Sequence, residues 1–418
     1  MNALISIPFE FRLLLTFAFG VCAGGAANWA IYALAWHPRR ISPWGAPDPA
    51  APPRRWSDRI PVLGWLALRR EVPLHGKRFW CRPMLVELAM GLAFAALYWW
   101  EVGQSGLLVP GVPIDRPDLV SMFHAQYASH LVLLCLMLVA SLIDFDERII
   151  PDTITVPGVL AALLLAAVGP WSLLPDAMFV DRTLLVDFLR LTAPGRWPDW
   201  LCGRPPHVES LAIGLACWWL WCVALMPRPW HPRHGWWRAV QLSLARLRRE
   251  RVTYRIVLMG LCGSAVIAVF WLKTGTRWQA LLSALVGMAA AGALVWIVRV
   301  LGTLALRREA MGFGDVTLMA MLGAFLGWQP CLLIFFLAPL AGLVLGIVQL
   351  LLFRENEIPY GPFLCIAAAT VVAAWEPVWA WARDLFSLGW MLIALLAVCL
   401  VLMPLLLGLW RLLRSAMR

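Results

Sequence analysis

The chain has 418 residues and a formal net charge of +11, with 61% hydrophobic residues against 14% charged. Soluble domains run at roughly 45–50% apolar, so this composition excludes a string of soluble domains and points to a polytopic membrane protein. The excess of Lys and Arg then bears on which loops face which side of a bilayer rather than on nucleic acid, and the 26 tryptophans suit interfacial belts.

Apolar runs long enough to cross with some tilt fall at 11–36, 83–100, 121–143, 153–174, 209–226, 256–273, 278–301, 312–328, 331–353, 362–376 and 387–411. The expected fold class is all-α, a polytopic helical membrane protein of about eleven transmembrane helices. The first run contains Ala23-Gly24-Gly25-Ala26-Ala27 but has only Arg12 as a positive lead and continues past the small residues. It reads as a retained helix rather than a cleaved signal.

Loop charge sets the expected orientation. Segment 37–82 holds Arg39, Arg40, Arg54, Arg55, Arg59, Arg69, Arg70, Lys77, Arg78 and Arg82 against Asp48, Asp58 and Glu71, which places it in the cytoplasm. Alternating from there puts the basic loop 227–255, Arg307, Arg308 and the tail arginines Arg411, Arg414 and Arg418 on the same side. Loops 101–120 and 175–208, of mixed or acidic charge, fall outside. Within 37–82 the stretch Ala46-Pro47-Asp48-Pro49-Ala50-Ala51-Pro52-Pro53 is a stiff linker. Within 227–255, Trp237, Val240, Leu244 and Leu247 recur at helical spacing, as in an amphipathic helix lying on the inner surface. Of ten cysteines only Cys81 and Cys202 fall in loops, and there is no CxxC pair, so neither a structural disulfide nor a metal site is expected.

Two acidic stretches interrupt this pattern. Leu131 to Ile143 runs into Asp144-Phe145-Asp146-Glu147-Arg148-Ile149-Ile150-Pro151-Asp152, and Met311-Gly312-Phe313-Gly314-Asp315-Val316-Thr317 opens another apolar run. An ionised Asp costs about 2.5–3.5 kcal/mol at a membrane-helix centre, so carboxylates at these edges need a reason. Two carboxylates sharing a proton can activate water and protonate a leaving amine. Gly312 and Gly314 would let an extended substrate strand come close to Asp315. In the first stretch Asp144, Asp146 and Asp152 are all candidates. Asp144 continues the apolar helix and Asp146 lies about 200° further round, while Asp152 follows Pro151 at a helix start, where the dipole stabilises a carboxylate. The plain alternative for Asp144 is an ion pair with Arg148, and for Asp315 one with Arg307 or Arg308.

Gly312-Phe313-Gly314-Asp315 resembles the GxGD motif of the prepilin peptidases, membrane aspartyl proteases that process type IV prepilins and pseudopilins, and Asp144 with Ile150-Pro151-Asp152 resembles their other motif. Gly24 to Asn28, Ile60 to Leu66 with Leu85 to Leu88, and Ile358 to Leu364 agree in order. The resemblance implies Asp144 and Asp315 as the catalytic pair, Gly312 and Gly314 positioning substrate, and Asp152 in support. It further implies prepilin-like partners, the bacterial inner membrane as location, leader cleavage at its cytoplasmic face, no cofactor for proteolysis, and S-adenosylmethionine where the new N-terminus is also methylated. The chain departs from the family pattern in lacking the two CxxC pairs of the first loop and in carrying Thr317 where a Lys is usual. Segment 175–276 looks inserted, an added transmembrane hairpin with a basic amphipathic loop, between an N-terminal membrane region of residues 1–174 and a C-terminal one of residues 277–418. Two other readings use the same residues: a catalytically idle homologue serving as an assembly scaffold, and a transporter with a carboxylate relay.

Overall fold

The structure, a computed structural model, describes residues 7–109, 117–180, 183–195, 198, 201, 207–227, 237, 238, 241, 245, 250–273, 275–307, 309–352 and 359–416. The helices are α1 (Phe9–Ala33), α2 (Cys81–Tyr98), α3 (Pro117–Glu147) and α4 (Asp152–Val168), then α5 (Val208–Leu225), α6 (Arg251–Lys273) and α7 (Thr276–Leu306). They continue with α8 (Phe313–Leu326), α9 (Trp328–Leu352), α10 (Gly361–Ala373), α11 (Trp375–Ser387) and α12 (Trp390–Ala416). This is a multi-pass helical membrane protein. Every apolar run expected from the sequence coincides with a helix; among the described residues six helices are long and apolar enough to cross a membrane, or up to seven if the bent pair α10–α11 counts as one span. Helices α4 and α8, and the described stretches of α9 and α12, are shorter apolar segments.

Where the chain departs from the expected all-helical course, the reasons are local. The run expected to reach residue 174 ends as a helix at Val168, and after a turn the chain forms an antiparallel hairpin, β1 (Pro175–Val180) with β2 (Thr183–Phe188). The run 362–376 stops at Ala373, and α11 leaves at 95° to α10. Helix α11 is amphipathic: Trp375, Trp379, Ala382 and Phe386 are buried at helical spacing. Its Trp375 Nε1 donates to Pro175 O at 2.7 Å and its Trp379 Nε1 to Asp176 Oδ1 at 2.9 Å, so the helix packs along the hairpin. The hairpin thereby satisfies indole donors that lipid would leave unpaired. Most of the surface helix expected within 227–255 lies outside the described residues, although Trp237 is exposed.

Small residues set the helix crossings, as is usual where lipid supplies no hydrophobic contrast. On α1, a Cβ at Gly24 would lie 2.6 Å from Glu87 Cα on α2, and one at Gly20 would lie 2.6 Å from Met90 O. Asn28 donates to Pro83 O at 2.8 Å and to Glu87 Oε1 at 3.2 Å. The buried Glu87 carboxylate also accepts from Trp65 Nε1 at 2.8 Å and from Val62 N at 2.5 Å, tying the basic loop to α1 and α2. That loop is knitted further by Arg54 and His75 on the buried Glu71 and by Arg70 on the buried Asp58.

Within segment 175–276 α5 and α6 pair, with Trp218 Nε1 donating to Gly260 O at 2.9 Å and Gly263 making room for the Trp218 ring. Helices α7 and α8 meet backbone to backbone, where a Cβ at Gly287 would sit 2.2 Å from Gly323 O and one at Gly323 would sit 2.2 Å from Gly287 O. Both neighbours are backbone and cannot turn aside. Gly287→Ala is therefore expected to force α7 from α8 and lower stability by about 1–3 kcal/mol, read as a lower midpoint of thermal unfolding in detergent micelles; an unchanged midpoint would refute the contact.

Candidate active site

Helix α3 carries apolar residues to its last turn, where Asp144 faces inward, 5% exposed. The helix closes with Arg148 in the left-handed conformation, φ 57°, its N–H donating to Asp144 O at 2.8 Å. The chain then passes through Ile149 to Pro151 into α4, whose first residue is Asp152. On α8, Gly312 is the extended residue before the helix and Asp315 lies in its first turn, 8% exposed.

These pieces meet at one end of the helix bundle. Asp144, Asp152, Gly312, Gly314 and Asp315 line a single cavity of about 1280 Å³, with Trp36, Ile150, Glu309, Pro359 and Tyr360 among its other walls. The residues singled out from the sequence are thus brought together, although α3 and α8 are far apart in the chain.

The three carboxylates that close α3, Asp144, Asp146 and Glu147, are sorted by what they touch. Asp146 is engaged by Arg82 Nη1, at 2.7 and 2.8 Å from its two oxygens, with Arg39 at 3.8 Å. Glu147 accepts from the backbone N–H groups of Trp36 at 2.7 Å and His37 at 3.1 Å. Both therefore fasten α3 to the loop after α1. Asp144 instead accepts from the Gly361 N–H at 3.1 Å. A Cβ on Gly361 would stand 2.5 Å from Asp144 Oδ2, so only glycine lets the start of α10 come this close. Gly361 belongs to a stretch the sequence marks out, but its hydrogen bond to Asp144 spans 217 residues and has no local signature.

The two glycines flanking Phe313 differ. A Cβ at Gly314 would lie 2.9 Å from Ile150 Cβ, so Gly314 lets α8 close on the Ile149–Pro151 turn. Gly312 is exposed on the cavity side, and a Cβ there would meet nothing nearer than Asp315 Oδ2 at 3.5 Å. Thr317, 3% exposed, donates its hydroxyl to Gly314 O at 3.0 Å and so acts within its own helix turn. Arg308, one of the expected partners of Asp315, lies outside the described residues; the cation whose field reaches Asp315 is Arg299, on α7. No helical period marks Arg299, since it sits inside an apolar run.

Fold and site together define a multi-pass membrane protein with two buried aspartates facing one cavity where their helices end. Residues 237–347 match the model of the type IV leader peptidase family, a match that includes Gly312, Gly314 and Asp315 but not Asp144. The chain is 32% identical over 150 residues to a prepilin leader peptidase/N-methyltransferase of Stutzerimonas stutzeri, covering 33% of this chain and 50% of that protein. A protein of the same description from Pseudomonas putida is 32% identical over 148 residues, 34% of this chain and 49% of its own. One from Legionella pneumophila is 28% identical over 167 residues, 39% of this chain and 56% of its own. The chain spans about half the length of these curated relatives. No solved structure matches.

The contrast between the glycines is testable. Gly314→Ala is expected to cost about 1–3 kcal/mol of stability because its methyl meets Ile150, whereas Gly312→Ala should leave the thermal midpoint within about 0.5 kcal/mol; equal effects in melting measurements would contradict this division.

Proposed function

We propose that the chain is an aspartic endopeptidase that removes the leader of type IV prepilins or pseudopilins at the cytoplasmic face of a bacterial inner membrane. The observation that carries this reading is that Asp144 and Asp315, on helices distant in sequence, are both buried and both line one open cavity. One carboxylate, ionised, takes a proton from water as the water oxygen bonds to the scissile carbonyl carbon. The other, protonated, gives its proton to the amide nitrogen as the C–N bond breaks, so that the pair ends with its proton exchanged between members. The Gly361 N–H orients Asp144 for this work, and the exposed Gly312 offers a smooth approach for an extended substrate backbone.

The cytoplasmic assignment is supported by the basic loop 37–82, which joins the Asp144 end of α3 through Arg82, Arg39 and the backbone of Trp36 and His37. A prepilin-like partner presenting its own apolar helix would reach the cavity sideways through lipid, which suits a protease built almost wholly of membrane helices. A carboxylate-relay transporter fits less well, since the two aspartates stand at helix ends rather than in broken helices at mid-bilayer.

The relatives' names also carry an N-methyltransferase. A second cavity of about 540 Å³, against α1 and the basic loop, is lined by Cys22, Gly25, Ala26, Trp44, Trp56, Arg59, Ile60 and Pro61. It offers no carboxylate for the ribose hydroxyls of S-adenosylmethionine, so these residues do not fit that group and no methyl-transfer step is drawn.

Co-expression with a prepilin-like protein of the same genome tests the reading by loss of the leader on a gel. Wild type and Asp146→Asn are expected to cleave, the latter because Asp146 serves the Arg82 contact, while Asp144→Asn and Asp315→Asn should each lose at least about 1000-fold. A properly inserted wild type that cleaves no such substrate would sink the peptidase and favour the scaffold reading, with Thr317 the first residue to examine.

A further inference from the structure

Arg299 lies on α7 within a long apolar run, where a cation is costly and calls for a partner. After Leu306 the chain reverses at Arg307, φ 54°, and doubles back along the final turns of α7. The returning segment is held at alternate residues. Arg299 Nη2 donates to Glu309 Oε1 at 2.5 Å, Arg299 Nε donates to Met311 O at 2.8 Å, and the guanidinium carbon stands 5.7 Å from the centre of the Phe313 ring. Between these, Ala310 N donates to Thr303 Oγ1 at 3.3 Å, and a Cβ on Gly302 would come within 2.9 Å of the Ala310 Cβ.

The segment so fixed, Glu309 to Phe313, walls the cavity and leads directly into the α8 turn that bears Asp315. The Glu309 side chain is 66% exposed, so that ion pair alone adds little in water. The constraint is the bond to the Met311 carbonyl together with the cation–π contact to the Phe313 ring. A planar fork can do both at once and an ammonium cannot.

We propose that Arg299 is a positioning residue for Asp315, holding the loop from Glu309 to Phe313 so that Gly312 and Asp315 present one fixed geometry to the scissile bond. This rests on the peptidase reading above. A small misplacement of a reacting group costs up to about 100-fold in rate without loss of binding, so the signature falls on kcat rather than on KM.

The test uses the full-length protein in lipid nanodiscs with a prepilin-like substrate. Arg299→Gln and Arg299→Lys are both expected to lower kcat by about 10–100-fold with KM changed less than about 2-fold. Glu309→Gln, which leaves the Met311 bond in place, should lower kcat by less than about 3-fold. Full activity in Arg299→Gln, full rescue by Lys, or a loss confined to KM would each overturn the proposal. A second readout is independent of activity: trypsin should cut at Arg307 or Arg308 faster in Arg299→Gln than in wild type, and equal rates would also overturn it. Should Arg299→Gln fail to insert, Thr303→Val, which removes only the bond to Ala310 N, is expected to show the same split to a lesser degree, and an unaltered kcat there would count against the loop's role. If wild type itself cleaves nothing while trypsin still finds the loop loosened, the peptidase reading fails and the clamp stands.

Discussion

Two buried carboxylates in one cavity repel each other and shed most of their water, and a protein must hold them together against both effects. Here they come from helices remote in sequence, α3 and α8, each 8% exposed or less at the aspartate. Much of the surrounding architecture serves that juxtaposition. The Gly287–Gly323 crossing brings α7 and α8 into backbone contact. Gly314 lets α8 close on Ile150, and Gly361 lets α10 reach Asp144. Each of these is a place where a methyl group would separate the elements.

The acidic residues beside Asp144 show how position decides role among similar side chains. Asp146 and Glu147 hold the basic loop, through Arg82 and through the backbone of Trp36 and His37, and so anchor the helix end from which Asp144 projects. The basic loop is itself organised without cysteine pairs. Buried Glu71, Asp58 and Glu87 gather arginine, indole and amide donors from separated turns, with His75 Nε2 3.3 Å from Glu71. A carboxylate buried with several donors can link such turns, though losing one partner would be costly.

No described residue of segment 175–276 lines the cavity. The β-hairpin and the chain after it meet α11 and the start of α9, where Trp328 Nε1 and Gln329 Nε2 donate to the carbonyls of residues 190–193. Helices α5 and α6 pack against each other through indole rings set over Gly260 and Gly263. None of these contacts touches the aspartates.

Much of this was legible in the sequence. Composition demanded a membrane protein, the runs of apolar residues marked helices at the places where helices occur, and charges at two helix edges singled out Asp315 and the stretch from Asp144 to Asp152 because uncompensated charge there is expensive. Those are local properties, written in hydrophobicity and in the few acidic residues that break it. The β-hairpin falls in what reads as a loop because Asp176, Asp181, Arg182 and Asp187 break its short apolar runs, and α11 is hidden because its tryptophans begin at the margin of a longer apolar run. Which of Asp144, Asp146 and Asp152 turns inward, which glycine is needed for packing and which lies open, and that Gly361 and Arg299 serve the aspartates at all were decided only by tertiary structure. A hydrogen bond or a missing methyl acts between residues that meet in space, and nothing in the spacing of one segment records which distant segment it will meet.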